Sequence, residues 1–216
     1  MSFRVVCISA LDGARGEEVA PAVAEQLGFR LVDEEIVHKT ATDANIDPGE
    51  VAEAEKRRSM AIRIMDSLGS STSLSTLAMA GYVPPHDAVG SSTDLRGLIR
   101  ATIEEVAQRG DAVIVAHAAS MALGDRVDVL KVMITAPRAA RERALVEQRG
   151  LDDKAAAKQI DRGDANRADY LKRFYGITNE SPADYDLVLN TDRLGPEGAV
   201  QLVVQAAGAG APQPLA

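Results

Sequence analysis

Two stretches of the chain carry residue types suited to phosphate chemistry. The first is Gly13-Ala14-Arg15-Gly16, which follows the β-branched run Arg4 to Ser9 (RVVCIS). A glycine turn between a strand and a helix presents free backbone N–H groups and the positive end of the helix dipole, and both suit an anion. The pattern GxxxxGK[ST] is incomplete, because Glu17 and Glu18 follow Gly16 where a lysine and a hydroxyl residue would stand. A carboxylate beside a phosphate is repelled by about 1 to 4 kcal/mol. Acids in a first helical turn also stabilise the helix with no ligand present. Arg15 is the cation placed to replace the lysine. The second stretch is an arginine set: Arg138, Arg141, Arg143 and Arg149, then Arg162, Arg167, Lys172 and Arg173. Guanidinium forks match phosphate oxygens, but the same spacing also builds a solvated, salt-bridged face. Asp164 and Arg167, at i and i+3, share a helix face. His117 stands straight after AVIVA, where a structural and a functional histidine are equally at home. His38 and His86 carry less signal, and Cys7 reads as a small buried core residue.

Positioning these groups requires a regular framework, and the apolar pattern predicts one. Val19, Ala20, Val23, Ala24 and Leu27 have helical spacing over Glu17 to Leu27, with Gly28 as the stop. Further strands are expected at Phe29 to Val32, Ala112 to Ala116, Val129 to Thr135 and Leu187 to Asn190. Helices are expected over Asp33 to Thr42, from Asp47-Pro48 towards Leu68, and from Thr93 or Asp94 to Arg109. Three more follow: Arg138 to Arg149, Asp152 to about Phe174, and Glu197 to Ala207. Strands separated by helices imply βαβ crossovers and a mostly parallel α/β sheet. Such sheets hold ligands beyond the carboxyl ends of their strands. Ala10 to Gly16, Asp33 to Lys39, His117 to Ser120, Ala136 to Arg141 and Asn190 to Arg193 all fall there. Residues from about 44 to 93 include a Ser/Thr-rich stretch and Pro84-Pro85, and read as an arm. Residues 208–216 read as a frayed tail.

Composition narrows the function classes. The chain has 216 residues, 46% hydrophobic and 26% charged, which excludes a wholly disordered protein. Its net charge of −8 argues against a general duplex-DNA binder. Aromatics at 3%, with no tryptophan, argue against a stacking platform for single strands. One cysteine makes neither an intramolecular disulfide nor a zinc set, and fits a reducing cytoplasm. No run of about 18 apolar residues occurs, so no transmembrane helix is expected. Met1 to Asp12 reaches an acid too soon for a secretory signal. The expectation is a soluble cytoplasmic protein without nucleic-acid or membrane partners.

The order of the blocks carries a further signal. ISALDGARGEEVAPAVAEQLG and LVDEEIVHKTA lead, through the arm, to AVIVAHAAS and VLKVMITAPRAARERALVEQRG. IDRGDANRADYLKRFYG and DYDLVLNTDRLGPEGAV follow. This series, from about Val5 to Val203, resembles the cytidylate-kinase-like family of P-loop nucleoside-monophosphate kinases. The lid-like DRGDANRADYLKRFYG and the terminal DYDLVLNTDRLG are its most specific parts. The resemblance implies a P-loop kinase-like α/β fold: a parallel five-stranded sheet with helices on both faces, a helical substrate-binding arm and a lid. It implies a single domain over 1–207, with the arm at about 44–93 and the lid at about 150–176. It also implies transfer of the γ-phosphoryl group of ATP, with Mg²⁺, to CMP or dCMP.

Site roles follow from the same resemblance. Gly13, Ala14, Arg15, Gly16, Glu17 and Glu18 would form the donor phosphate loop, with Asn190 and Thr191 beside the donor nucleotide. Asp33 would open the acceptor region, and Lys39 would take the place of an arginine that grips the acceptor phosphate. Asp164 and Arg167 match a lid Asp-x-x-Arg that reaches the acceptor sugar and the phosphates. Arg162, with Arg138 or Arg141, would add positive charge. Glu17 and Glu18 depart from the lysine and the metal-binding Ser/Thr of that loop, and Ala116-His117 replaces an acceptor-binding Gly-Arg pair. Three readings therefore stand: a working kinase of this type, a degenerate nucleotide-binding or regulatory module, and a kinase for another small molecule. The apolar arm pieces, Met60 to Met65 and Leu74 to Met79, suit either closure over substrate or a homodimer contact.

Overall fold

The computed structural model describes residues 3–33, 92–115 and 119–210. Nearly all of the expected arm, the helices expected over Asp33 to Thr42 and from Asp47 towards Leu68, Lys39, His38, His86, His117 and most of the tail lie outside the described residues. The chain divides into two compact units, 1–34 with 107–216, and 35–106.

Five strands form one sheet: β1 (Val5–Ala10), β2 (Arg30–Asp33), β3 (Ala112–Val115), β4 (Val129–Thr135) and β5 (Leu187–Asn190). Their order is β2-β3-β1-β4-β5 and every pairing is parallel. Val5 pairs with both Ala112 and Val129, so β1 is the centre of the sheet. The helices are α1 (Gly16–Leu27), α2 (Ser92–Arg109), α3 (Ala119–Leu123), α4 (Arg138–Arg149), α5 (Asp153–Tyr175) and α6 (Thr191–Ala209).

Strand side chains alternate between faces, yet Val5, Val6, Cys7 and Ile8 are all fully buried. Both faces of β1 are therefore covered, as a parallel sheet requires. On one face Val6, Ile8, Val113, Leu130 and Val132 pack with Val19 and Val23 of α1 and Val200 and Val203 of α6. A smaller cluster, Leu145 of α4 with Ala156 and Ile160 of α5, joins those two helices. Cys7 is buried as expected, and burial pushes its thiol up to about 12. No helix among the described residues is long and apolar enough to cross a membrane.

Within the described residues the expected strands and helices are present, with most boundaries shifted by one or two residues. The last helix differs more. It starts at Thr191, directly after β5, where the Asn190 side chain accepts from the Asp192 N–H at 3.0 Å. A kink at Gly195 (φ 68°, ψ 166°), followed by Pro196, interrupts it. That dipeptide reads as a break, so the sequence pattern starts the helix only at Glu197. The short helix α3 and a 3-10 turn, Pro182–Asp184, have no signal in the apolar pattern; the turn is held by a capping box between Ser181 and Asp184.

Candidate functional site

The glycine turn is shaped by close backbone approach. Gly13 has φ +73°, and a Cβ there would lie 2.5 Å from the carbonyl oxygen of Arg141. Only glycine fits both demands. Arg15, at φ 62°, is the N-cap of α1 and makes no side-chain cap. A left-handed non-glycine residue is strained by about 1–2 kcal/mol. Thr191 reaches from α6 to the carbonyls of Ala14 (2.9 Å) and Thr135 (3.3 Å) and ties the turn to the end of β4. Gly13, Ala14, Arg15, Gly16, Asn190 and Thr191 are thus brought to one end of the sheet.

A cavity of about 460 Å³ opens there. Gly13 and Arg15 of the turn, Ala140 and Ala144 of α4, and Thr191 and Gly195 of α6 are among its walls. Its outer edge is charged. Arg15 bonds Glu147 at 2.7 Å and Glu18 at 3.1 Å, and Gln148 also donates to Glu18. Glu17 lies 3.6 Å from Arg149. The first turn of α1 and the last turn of α4 are therefore joined by polar contacts. Arg143 bonds Asp192 at 3.2 Å across the cavity mouth.

The lid-like helix α5 starts at the cap Asp152, whose carboxylate accepts from the Ala155 N–H at 2.7 Å. Its middle lies against the turn: a Cβ on Gly163 would run into the Asp12 carboxylate. Asp164 accepts from both terminal nitrogens of Arg141, at 2.9 and 2.8 Å. Arg141 also donates to the Asp12 carbonyl at 3.3 Å. Its side chain is 7% exposed, and its Nε is buried without a hydrogen-bond partner among the described residues. Arg167 is buried as well, paired with Glu180. Nearer the surface, Arg138 bonds Asp161 at 2.6 Å and Glu142 at 2.8 Å. The bond from Arg138 holds the Asp161 carboxyl below the usual carboxylate range, and Asp161 in turn raises Arg138. Arg162 is exposed and has no ion pair among the described residues.

The arginine set is thus two populations. Arg138, Arg143 and Arg149 form the solvated, salt-bridged face that spacing alone suggests, whereas Arg141 and Arg167 are buried beside the turn. Asp164 and Arg167 do point the same way, towards the turn and the end of β1. Asp33 closes β2; its side chain, Lys39 and His117 lie outside what is described. The terminal block is explained almost residue by residue. Tyr185 bonds Glu180, Asp186 accepts from the Lys131 N–H at 2.7 Å, Asn190 caps α6, and Thr191 holds the turn. Glu147 and Glu180 were missed in the sequence, because a glutamate in a helix or a loop has no pattern that marks a distant arginine as its partner.

The sequence profile of the Cytidylate kinase-like family matches residues 5–193. A cytidylate kinase from Ignicoccus hospitalis is 32% identical over 110 residues, which is 51% of this chain and 62% of that protein. A cytidylate kinase from Halobacterium salinarum is 26% identical over 111 residues, 51% of this chain and 57% of that protein. The chain thus matches about three fifths of the length of either relative. A crystal structure of an uncharacterized protein from Eubacterium ventriosum superposes with a TM-score of 0.66 at 15% identity, covering 95% of this chain and 98% of that one.

Proposed function

Because the chain belongs to the cytidylate kinase-like family, we propose that it moves the γ-phosphoryl group of ATP to a nucleoside monophosphate of the CMP or dCMP type. The observation that carries this reading is the glycine turn opening into the 460 Å³ cavity with the buried Arg141 directly behind it. A cavity of that size suits a nucleoside. The residues present fit a donor nucleotide. Gly13 lets the turn fold against the Arg141 carbonyl, the first turn of α1 offers N–H groups, and Thr191 holds Ala14 in place.

Phosphoryl transfer is mostly positioning and electrostatic stabilisation of charge spread over the moving group. Gly13, Ala14, Arg15 and Gly16 would cradle the donor phosphates, with Asn190 and Thr191 beside the nucleoside. Arg15, Arg162 and Arg167 would supply positive charge, reinforced by Arg141. Asp33, Lys39, His117 and Asp164 would face the acceptor. Mg²⁺ would be held chiefly by the donor's phosphates, as is common for this ion. Glu17 stands where the loop lysine would be, and Arg149 faces it from α4. That contact moderates the repulsion a bare carboxylate would exert on an incoming phosphate. A cytoplasmic location fits the single buried thiol.

One observation favours a second reading, a nucleotide-binding module without turnover. Arg15, Arg141 and Arg167 each already meet a carboxylate of the protein itself. The altered acceptor residues leave a third, a kinase for another small molecule. ADP release from Mg·ATP, measured with CMP, dCMP and other monophosphates in turn, separates the three. The kinase reading expects release that depends on CMP or dCMP. Release with another acceptor favours the third reading, and ATP binding without release favours the module.

A further inference from the structure

Behind α5 lies a buried acid that the scheme above leaves unused. Glu180, between α5 and β5, has a side chain only 5% exposed. One carboxylate oxygen accepts from Arg167 Nε at 2.7 Å, and the other accepts from the Tyr185 hydroxyl. The Arg167 guanidinium, 8% exposed, continues to the end of β1, where it donates to the Ala10 carbonyl at 3.2 Å and to Ser9 Oγ. Among the described residues, three parts of the chain therefore meet on one guanidinium: α5, the last residues of β1, and the segment leading into β5.

A guanidinium this deep needs a counter-charge, because an unpaired buried ion is costly. Glu180 provides it, and Tyr185 fixes the orientation of Glu180 by taking its second oxygen. Burial first, and the Glu180 contact second, push the Tyr185 phenol up to about 12. The location gives the arrangement consequences for the site. Ala10 is the last residue of β1 before the glycine turn, and Asp164, which grips Arg141, stands one helical turn before Arg167.

We propose that Glu180 is a positioning residue for the site: backed by Tyr185, it fixes Arg167 on the end of β1 and so sets α5 against the glycine turn. The inference rests on the kinase reading for its effect on turnover, but not for its effect on the protein's own geometry. Glu180→Gln keeps the shape and removes the charge. Its kcat/KM for CMP is expected to fall about tenfold or more while donor affinity changes less than about threefold, and Glu180→Asp recovers part of the loss. An unchanged kcat/KM in Glu180→Gln overturns the proposal.

Two readouts need no turnover. Alkaline absorbance titration follows the tyrosines; in Glu180→Gln the phenol at about 12 is expected to move down towards the ordinary tyrosine value. Trypsin is expected to cut within α5 about tenfold faster in that variant, because local opening governs cleavage. An unmoved phenol together with an unchanged cleavage rate contradicts the proposal. If the wild-type protein turns over no acceptor, the kinase reading fails, and these two readouts still decide the positioning role. Should Glu180→Gln fail to fold, Tyr185→Phe carries the test: about threefold faster trypsin cleavage in α5 is expected, and an unchanged rate overturns it.

Discussion

Two groups of ion pairs flank the glycine turn, one on each side, and they differ in burial. On the α4 side Arg15, Glu17, Glu18, Glu147 and Arg149 meet in solvent; Arg149 and Glu17 are 48% and 46% exposed. On the α5 side Arg141 and Arg167 are almost fully covered, and Glu180 with them. The chemistry is the same, carboxylate to guanidinium. Water screens the first group to about 0–1 kcal/mol per pair. In the second, loss of one partner strands a charge in the interior. The turn thus has an adjustable outer edge and a fixed inner one, and substitutions on the two sides test that contrast.

The largest effect is expected at the inner edge. Glu180→Leu removes the buried carboxylate that Arg167 pairs with, and a loss of about 3–5 kcal/mol is expected by chemical denaturation. If the loss is no larger than that of an exposed pair, the contrast fails. Gly13→Ala comes next. The backbone at φ +73° and the Arg141 carbonyl both reject a Cβ; strain of about 1–2 kcal/mol adds to the clash, and nucleotide affinity is expected to drop with stability. Calorimetry of nucleotide binding alongside a thermal melt checks both.

At the outer edge Arg149→Ala should cost less than about 1 kcal/mol of stability, and this cost should vanish in high salt. Glu17→Lys should tighten ATP binding severalfold, by exchanging a repelled charge for an attracted one. No change in ATP affinity would mean that the donor phosphates do not approach the first turn of α1. The effect that appears last, only as pH rises past the ordinary thiol range, is the pH response of Cys7. Its folded thiol is raised to about 12, so the associated stability is complete below the ordinary thiol value and is lost as pH climbs from there towards 12. A thiol reagent at pH 8 should react with Cys7 only at the rate of unfolding; prompt labelling would contradict its burial.

The sheet was legible because parallel strands buried on both faces are short apolar runs rich in β-branched residues. RVVCIS, AVIVA and VLKVMIT all have that form. The glycine turn was legible for a similar reason, since Gly13 and Gly16 stand between a strand and a helix. The first turn of α6 was hidden because Gly195-Pro196 reads as a break, while the actual stabilisation comes from the Asn190 side chain. The split of the arginines was hidden for a deeper reason. Arg138 and Arg141 are three residues apart on one helix, and only the tertiary position of α5 decides that one stays wet and the other is buried against Asp164. Glu180 and Glu147 are long-range partners of Arg167 and Arg15, and no local period encodes such pairs.

The central claim is that the turn and cavity form a donor-nucleotide site coupled to an acceptor site. Calorimetric titration of the protein with Mg·ATP, alone and then in the presence of CMP, tests it most directly. The account predicts a dissociation constant of about micromolar order, tightened by CMP. Absence of binding up to about millimolar ATP would contradict it.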